Sequence, residues 1–456
     1  MKKQKKNEID MTTGSIPKKM IFYIVPLVIT GILQLLYNAV DVIVVGTYVG
    51  TDALSAVGST GSLINLLTNV FLGLSVGATV TVSKYYGAQD KEGLHRTVHT
   101  AILVSIVSGV ILAILGVLLA SPLLELMNTP PEVLGGAVTY MTIFFLGMPF
   151  NLLYNFGAAI LRAVGDTKRP LYFLMVSGVV NVVLNLFFII ILGMGVGGVA
   201  LATIISQALS AAFVVRCLMK EEGAIKLQLR KLRFYTREVI SIVRIGLPAG
   251  VQGSFFSISN VLIQSSINLF GSSAMAGVAA SSNLEGFIYI AMNAVHQAAV
   301  TFASQNIGAS QYKRIRKNFF YSIGLVCIIS CVMCGFMYLN STRLISLYNS
   351  DPEVLEIAKT RFTFFCTYYF ICGIMDVTVG HLRGIGRSVC PMIVTLCGVC
   401  LFRVIWIYTI FSQVMTLDIL YVSYPVSWMM STVVMWVYYA IIMRKLPKED
   451  RVLSYG

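Results

Sequence analysis

Asp41 is the residue of this sequence best placed to do chemistry, because it is a carboxylate inside the apolar run 17–46. Gln34, Asn38 and Asp41 stand at i, i+4 and i+7, one stripe of one helical face. Asn181 and Asn185 lie four apart on a second apolar run, and Thr203 lies on a third. Counted from the outer ends of these runs at 1.5 Å per residue, Asp41, Asn185 and Thr203 reach one depth, roughly 8–10 Å below the outer surface. A carboxylate, two carboxamides and a hydroxyl at that depth make an oxygen-lined pocket, suited to a proton on Asp41 or to Na⁺ among several oxygens. The bland alternative is hydrogen-bonded glue between helices. An ionisable side chain is a poor choice for glue, since a charge in a span costs at least about 2.5–3.5 kcal/mol.

Glu285, Asp376 and Arg403 are the other charged residues read as lying well within spans. Glu285 and Arg403 both come out near mid-membrane, which predicts a Glu285–Arg403 pair. Such a pair either fixes helix packing or leaves Glu285 to touch a substrate. Tyr289 and Met292 next to Glu285, with Gln34 and Asn38 from the first run, could line a cavity that accepts flat cationic compounds. His296 reads as a packed histidine.

These residues have to be positioned by membrane-spanning helices. The chain has 456 residues, of which 57% are hydrophobic and 12% charged, about half the charge of a soluble domain. Mean hydropathy is +0.80. Twelve apolar stretches between 17 and 443 are each long enough for a core about 30 Å thick. Most of the 34 Lys and Arg fall in segments that an even helix count places inside, with Arg343, Lys359 and Arg361 outside. Both termini are therefore expected on the cytoplasmic side of the membrane. The net charge of +14 fits anchoring to anionic lipid and needs no nucleic acid partner. The nine Cys lie at or after Cys217; Cys331/Cys334 and Cys397/Cys400 have metal-like spacing but no nearby His, and read as packing residues. No metal site, cofactor, nucleotide loop or enzymatic nucleophile–base pair is expected.

The sequence also repeats itself. MNTPPEVL at 127–134 returns as YNSDPEVL at 348–355, and LRAVGDTKRP at 161–170 as LRGIGRSVCP at 382–391, both 221 residues on. The fold expected is an all-α polytopic membrane protein, with twelve transmembrane helices in two parallel-repeat six-helix lobes around a central cavity. The lobes are expected at 17–220 and 238–445, joined by the cytoplasmic linker 221–237 and flanked by cytoplasmic tails at 1–16, read as mobile, and 446–456. Pro26 and Pro248 sit alike in the first helix of each lobe and are candidate hinges. Two like bundles around a midplane site imply an alternating-access transporter. The pocket itself is not duplicated: Phe402 and Trp406 replace Asn181 and Asn185 at the offset.

Pro26, Gln34 and Asp41, the run VDVIVVGTYVGTDALSAVG at 40–58, the paired LRAVGDTKRP and LRGIGRSVCP, and Asn181-x-x-x-Asn185 followed by Thr203 together resemble the multidrug and toxic compound extrusion family, bacterial multidrug branch. The resemblance implies an antiporter of the bacterial cytoplasmic membrane that exports cationic amphiphilic drugs in exchange for H⁺ or Na⁺, with Asp41, Asn181, Asn185 and Thr203 as its cation site; a monomer is expected. The family often carries Asp where this chain has Asn185, which favours H⁺. A lipid-linked oligosaccharide flippase of the same broad design is the rival.

Overall fold

A backbone N–H in hydrocarbon has no water to bond, so each apolar run must satisfy its own amides, and a helix does this within one segment. The computed structural model describes residues 8–348, 351–447 and 450, and every regular element among them is helical. Residues 1–7 of the expected tail 1–16 lie outside the described residues. So does the expected tail 446–456, apart from Leu446, Pro447 and Asp450.

The first half runs α1 (Ile16–Tyr48), α2 (Thr51–Gly87), α3 (Lys91–Leu126), α4 (Pro131–Leu146), α5 (Met148–Ala163), α6 (Lys168–Leu186) and α7 (Gly195–Lys220). α4 and α5 are one span bent by 47°. α6 runs on through a π-turn at Phe187–Ile191. The second half runs α8 (Thr236–Asn268), α9 (Ser272–Gly308), α10 (Tyr312–Leu339), the short α11 (Ser341–Ser346), α12 (Pro352–Gly384), α13 (Val389–Thr395), α14 (Phe402–Trp406) and α15 (Leu417–Lys445). A π-turn at Leu396–Leu401 joins α13 and α14, and a second at Ile407–Phe411 carries the same span on to Phe411. Ten spans are long and apolar enough to cross a membrane, and the bent pair makes an eleventh. α9, richer in Ser, Asn and Gln, is the twelfth; its 37 residues reach about 55 Å. The chain is a multi-pass, all-α membrane protein built as two six-helix lobes.

The repeat holds residue for residue. α9 repeats α2, and α12 repeats the α4–α5 pair, end for end at an offset of 221. Ser83 Oγ donates to the Ala163 carbonyl (3.2 Å), and Ser304 Oγ donates to the Gly384 carbonyl (3.0 Å) at the same offset. The bend separates the two copies. Gly147 and Pro149 interrupt the first, and proline has no amide to give the helix. Tyr368 and Phe370 stand there in the second, and α12 is unbroken. Small residues bring α9 and α12 together: a Cβ on Gly384 would lie 2.5 Å from the Val300 carbonyl oxygen, and one on Gly380 2.9 Å from that of His296.

The chain divides into two compact units. Unit 1 holds the segment ending at Asp10 together with Ile29–Ser254; unit 2 holds Met11–Val28 and the residues from Phe255 on. The division therefore differs from the sequence halves 17–220 and 238–445. The first part of α1 belongs with the second half, and the first part of α8, with the linker, belongs with the first. Both changes of unit come soon after a proline, Pro26 in α1 and Pro248 in α8.

Residues 8–15, read from sequence as part of a mobile tail, are held instead. Met11 is fully buried in unit 2, and its N–H donates to Gln305 Oε1 (3.0 Å). Arg314 donates to the carbonyls of Met11 (2.9 Å), Thr13 (2.8 Å) and Gly14 (2.8 Å). In unit 1 the Tyr86 hydroxyl donates to the Glu8 carboxylate (3.1 Å). Ile9 backbone lies against Gly165, whose φ of +92° and missing side chain allow the approach. The polar composition concealed one apolar anchor, Met11, and a close backbone approach at Ile9.

Candidate ion and substrate sites

In unit 1 the pocket is assembled from α1, α6 and α7. Gly178 on α6 lets α1 come close, since a Cβ there would fall 1.9 Å from Tyr37 Cζ. The Tyr37 hydroxyl donates to the Met175 carbonyl (3.3 Å), which ties the two helices one turn from Asp41. Asn185, fully buried, donates from Nδ2 to the Asp41 carboxylate. Its second amide proton goes to Asn181 Oδ1 (3.3 Å). Asn181 Nδ2 in turn donates to Thr203 Oγ1 (3.5 Å), and Thr203 donates to the Val199 carbonyl (3.0 Å). The four residues picked from sequence thus form one hydrogen-bonded chain.

Two features of that chain have chemical consequences. Among the described residues no Lys, Arg or His lies within ion-pair distance of Asp41. Asn185 Oδ1 is buried and has no hydrogen-bond partner. An unneutralised carboxylate beside an unfilled carbonyl oxygen favours anything that brings positive charge, a proton or a small cation. Gln34 and Asn38, on the same stripe of α1, are exposed and take no part in the chain.

Unit 2 differs from expectation. Glu285 does not pair with Arg403; its carboxylate accepts from Arg361 Nη2 (2.8 Å), and Arg361 Nη1 donates to Ser281 Oγ (2.9 Å). The reason is register. α9 and α12 run parallel with partners 80 residues apart, as Ser281–Arg361 and Ser304–Gly384 show, and this carries Arg361 to Glu285. Arg361, assigned from sequence to an outer segment, is 5% exposed and packs over Phe365, 4.1 Å from the ring centroid. Arg403, 2% exposed, donates from Nε to Ser427 Oγ (3.2 Å) and lies 4.0 Å from the Tyr424 ring centroid.

Comparison with known proteins decides the family. The family model described as MatE matches twice, over residues 26–187 and 248–409, once in each repeat. The chain belongs to the MatE family. This MatE chain is 28% identical to the Probable multidrug resistance protein YoeA of Bacillus subtilis (strain 168), over 94% of its own length and 95% of the relative's. It is 27% identical to the Probable multidrug resistance protein NorM of Thermotoga maritima, covering 84% and 83%. It is 22% identical to an FAD transporter of Shewanella oneidensis, covering 76% and 78%. Its fold matches a solved multidrug resistance MATE family transporter in an outward-facing conformation, with a TM-score of 0.90, 22% identity, and 98% and 100% of the two chains covered. It also matches a MATE structure in a bent conformation, at a TM-score of 0.87 and 21% identity, over 94% and 96%.

The other residues singled out in this MatE protein serve different ends. Met292 is fully buried and packs towards Gly373, so it lines no open cavity, whereas Tyr289 is exposed. His296 is bonded through Nδ1 to the Asp376 carbonyl (2.7 Å), a packing role. An apolar cavity of about 540 Å³ in unit 2 is lined by Phe364, Tyr368, Pro425, Met429 and Met430 among others, none of them picked from sequence. Arg361 was the residue missed. Its signal was present: Arg361, Phe365, Tyr369 and Cys372 recur at helical spacing and make one buried face of α12.

Proposed function

We propose that this MatE protein exports cationic amphiphilic compounds in exchange for H⁺ taken up at Asp41, with Na⁺ as the other candidate coupling ion. The observation that carries the reading is the Asp41 carboxylate, bonded by the Asn185 amide and by no cation among the described residues. Proton uptake removes the charge that the membrane penalises. Asn185, rather than a second carboxylate, supports H⁺, because a Na⁺ site loses more than a protonation site when a formal charge is missing. Pro26, which cannot donate to the Phe22 carbonyl, is the proposed hinge through which a change at Asp41 bends α1, and Pro248 is its counterpart in α8. The distribution of Lys and Arg supports both termini inside, and the bacterial relatives support a bacterial cytoplasmic membrane.

A driving force of 100 mV is worth about 2.3 kcal/mol per charge, which sustains roughly a fifty-fold substrate ratio at about 1.4 kcal/mol per tenfold. A monovalent cation exchanged one for one with H⁺ cancels the electrical part, so the concentration gradient alone drives it. The lipid-linked oligosaccharide alternative is not carried forward, since the relatives YoeA, NorM and the FAD transporter are named for multidrug resistance or FAD transport. The test is ethidium efflux from everted vesicles under an imposed pH or Na⁺ gradient. Wild type should respond to the pH gradient and Asp41→Asn to neither. Active efflux by Asp41→Asn at the wild-type rate would overturn the reading.

A further inference from the structure

The 221-residue offset maps the surroundings of Asp41 onto the charged cluster of unit 2. Tyr140, within electrostatic reach of Asp41, corresponds to Arg361, and Thr203 corresponds to Tyr424. Val182, next to Asn181, corresponds to Arg403. The two units therefore place polar or charged residues on corresponding helices, although the carboxylates differ: Asp41 corresponds to Leu262, and Glu285 to Ile64. Beside Asp41 unit 1 has no cation among the described residues; the cluster of unit 2 has two guanidiniums, Arg361 and Arg403, and the carboxylate of Glu285, while Asp376 lies farther along α12.

That carboxylate is committed to Arg361. Arg403 is held by one hydrogen bond from Nε to Ser427 and by the faces of Tyr424 and Trp428, at 4.0 and 5.9 Å from the ring centroids. Its Nη1 and Nη2 atoms make no hydrogen bond to any described residue, and no carboxylate lies within ion-pair distance of it among them. A guanidinium in a span that served packing alone could be replaced by a neutral side chain without the penalty of a buried charge.

The backbone is also altered at this residue. The π-turn at Ile407–Phe411 has a counterpart in the first half, Phe187–Ile191. The π-turn at Leu396–Leu401, immediately before α14 and Arg403, has none, because the corresponding residues 175–180 are regular helix in α6. A π-turn adds a residue to one turn and rotates the helix beyond it, and such turns concentrate at functional sites. The second half thus departs from the repeat where it places its extra cation.

We propose that Arg403 is an oxyanion-docking residue within unit 2, receiving a carboxylate or phosphate group of an amphiphilic molecule on its two Nη atoms. The planar fork of Arg suits two parallel bonds to such a group in a way that Lys does not. This extends the range of ligands beyond cations and does not depend on coupling at Asp41.

The test is direct binding by calorimetry to the purified full-length protein, using 2-naphthoate and 1-naphthyl phosphate against 2-naphthylmethylammonium and 2-naphthol. The protein is held in neutral detergent and in nanodiscs of phosphatidylcholine or phosphatidylglycerol. Wild type should bind both oxyanions about tenfold more tightly than 2-naphthol, and Arg403→Gln should lose that margin. Arg403→Lys should keep part of it, and the exposed Arg343→Gln all of it. If Arg403→Gln does not fold, weakened binding in Arg403→Lys decides in favour. Competition by phosphatidylglycerol would identify a lipid headgroup as the source of the oxyanion; undiminished binding there would identify a free solute. Equal binding of the oxyanions by wild type, Arg403→Lys and any folded Arg403→Gln would overturn the proposal, as would no oxyanion binding by wild type.

Discussion

Asn185 turns both of its amide protons to acceptors, one to the Asp41 carboxylate and one to Asn181 Oδ1. That orientation leaves its own carbonyl oxygen without a partner. A single side chain therefore ties the carboxylate of α1 to the polar stripe of α6 and sets an open acceptor beside it. Asn185→Asp would put a second carboxylate there. The expected outcome is efflux that gains a dependence on Na⁺, measured in vesicles with Na⁺ or choline as the counter-ion. Asn185→Ala should instead lower the rate about tenfold, since it removes a charge-assisted hydrogen bond worth about 1.5–3 kcal/mol.

Glu285 and Arg361 should behave as a buried pair. Removing one partner leaves the other charged and unmatched, which costs about 3–5 kcal/mol. Glu285→Gln is expected to lower the melting temperature in detergent, and the double variant Glu285→Gln/Arg361→Gln to regain most of the loss. A thermal aggregation assay on the purified variants measures both.

The twelve helices, their parallel repeat and the four members of the Asp41 chain were all legible in the sequence. Each signal is local or periodic: apolar length for the spans, i+4 spacing for Asn181 and Asn185, one offset for the repeat. The Glu285–Arg361 pair was not legible, because depth counted along each helix separately carries no information about the register between α9 and α12. Arg361 was also counted among the Lys and Arg of the outer segments, although it lies within α12, on a face that is already buried. Composition likewise disguised the segment from Glu8 to Ser15, where the buried Met11 side chain and hydrogen bonds to the backbone hold a mostly polar stretch.

Gly384 marks where α9 and α12 touch through their backbones. A methyl group there would meet the Val300 carbonyl at 2.5 Å, so the helices must part. Gly384→Ala is expected to cost about 1–3 kcal/mol, read as a lower melting temperature. The repeat-equivalent position already carries Ala163, so Ala163→Gly should leave the melting temperature far less changed.

Arg314 holds three carbonyls of the amino-terminal segment. Arg314→Ala should release residues 11–14 and expose the chain there to protease, detected as an early amino-terminal cleavage in limited proteolysis. The same digestion of wild type should leave that segment intact.

The proposed exchange at Asp41 is tested most directly by proton release. Wild-type protein in weakly buffered detergent solution is mixed with ethidium near neutral pH, and the pH change is recorded with an indicator dye. If substrate and proton alternate, wild type releases protons on binding and Asp41→Asn binds ethidium without releasing any. Equal release by both proteins would contradict a coupling role for Asp41.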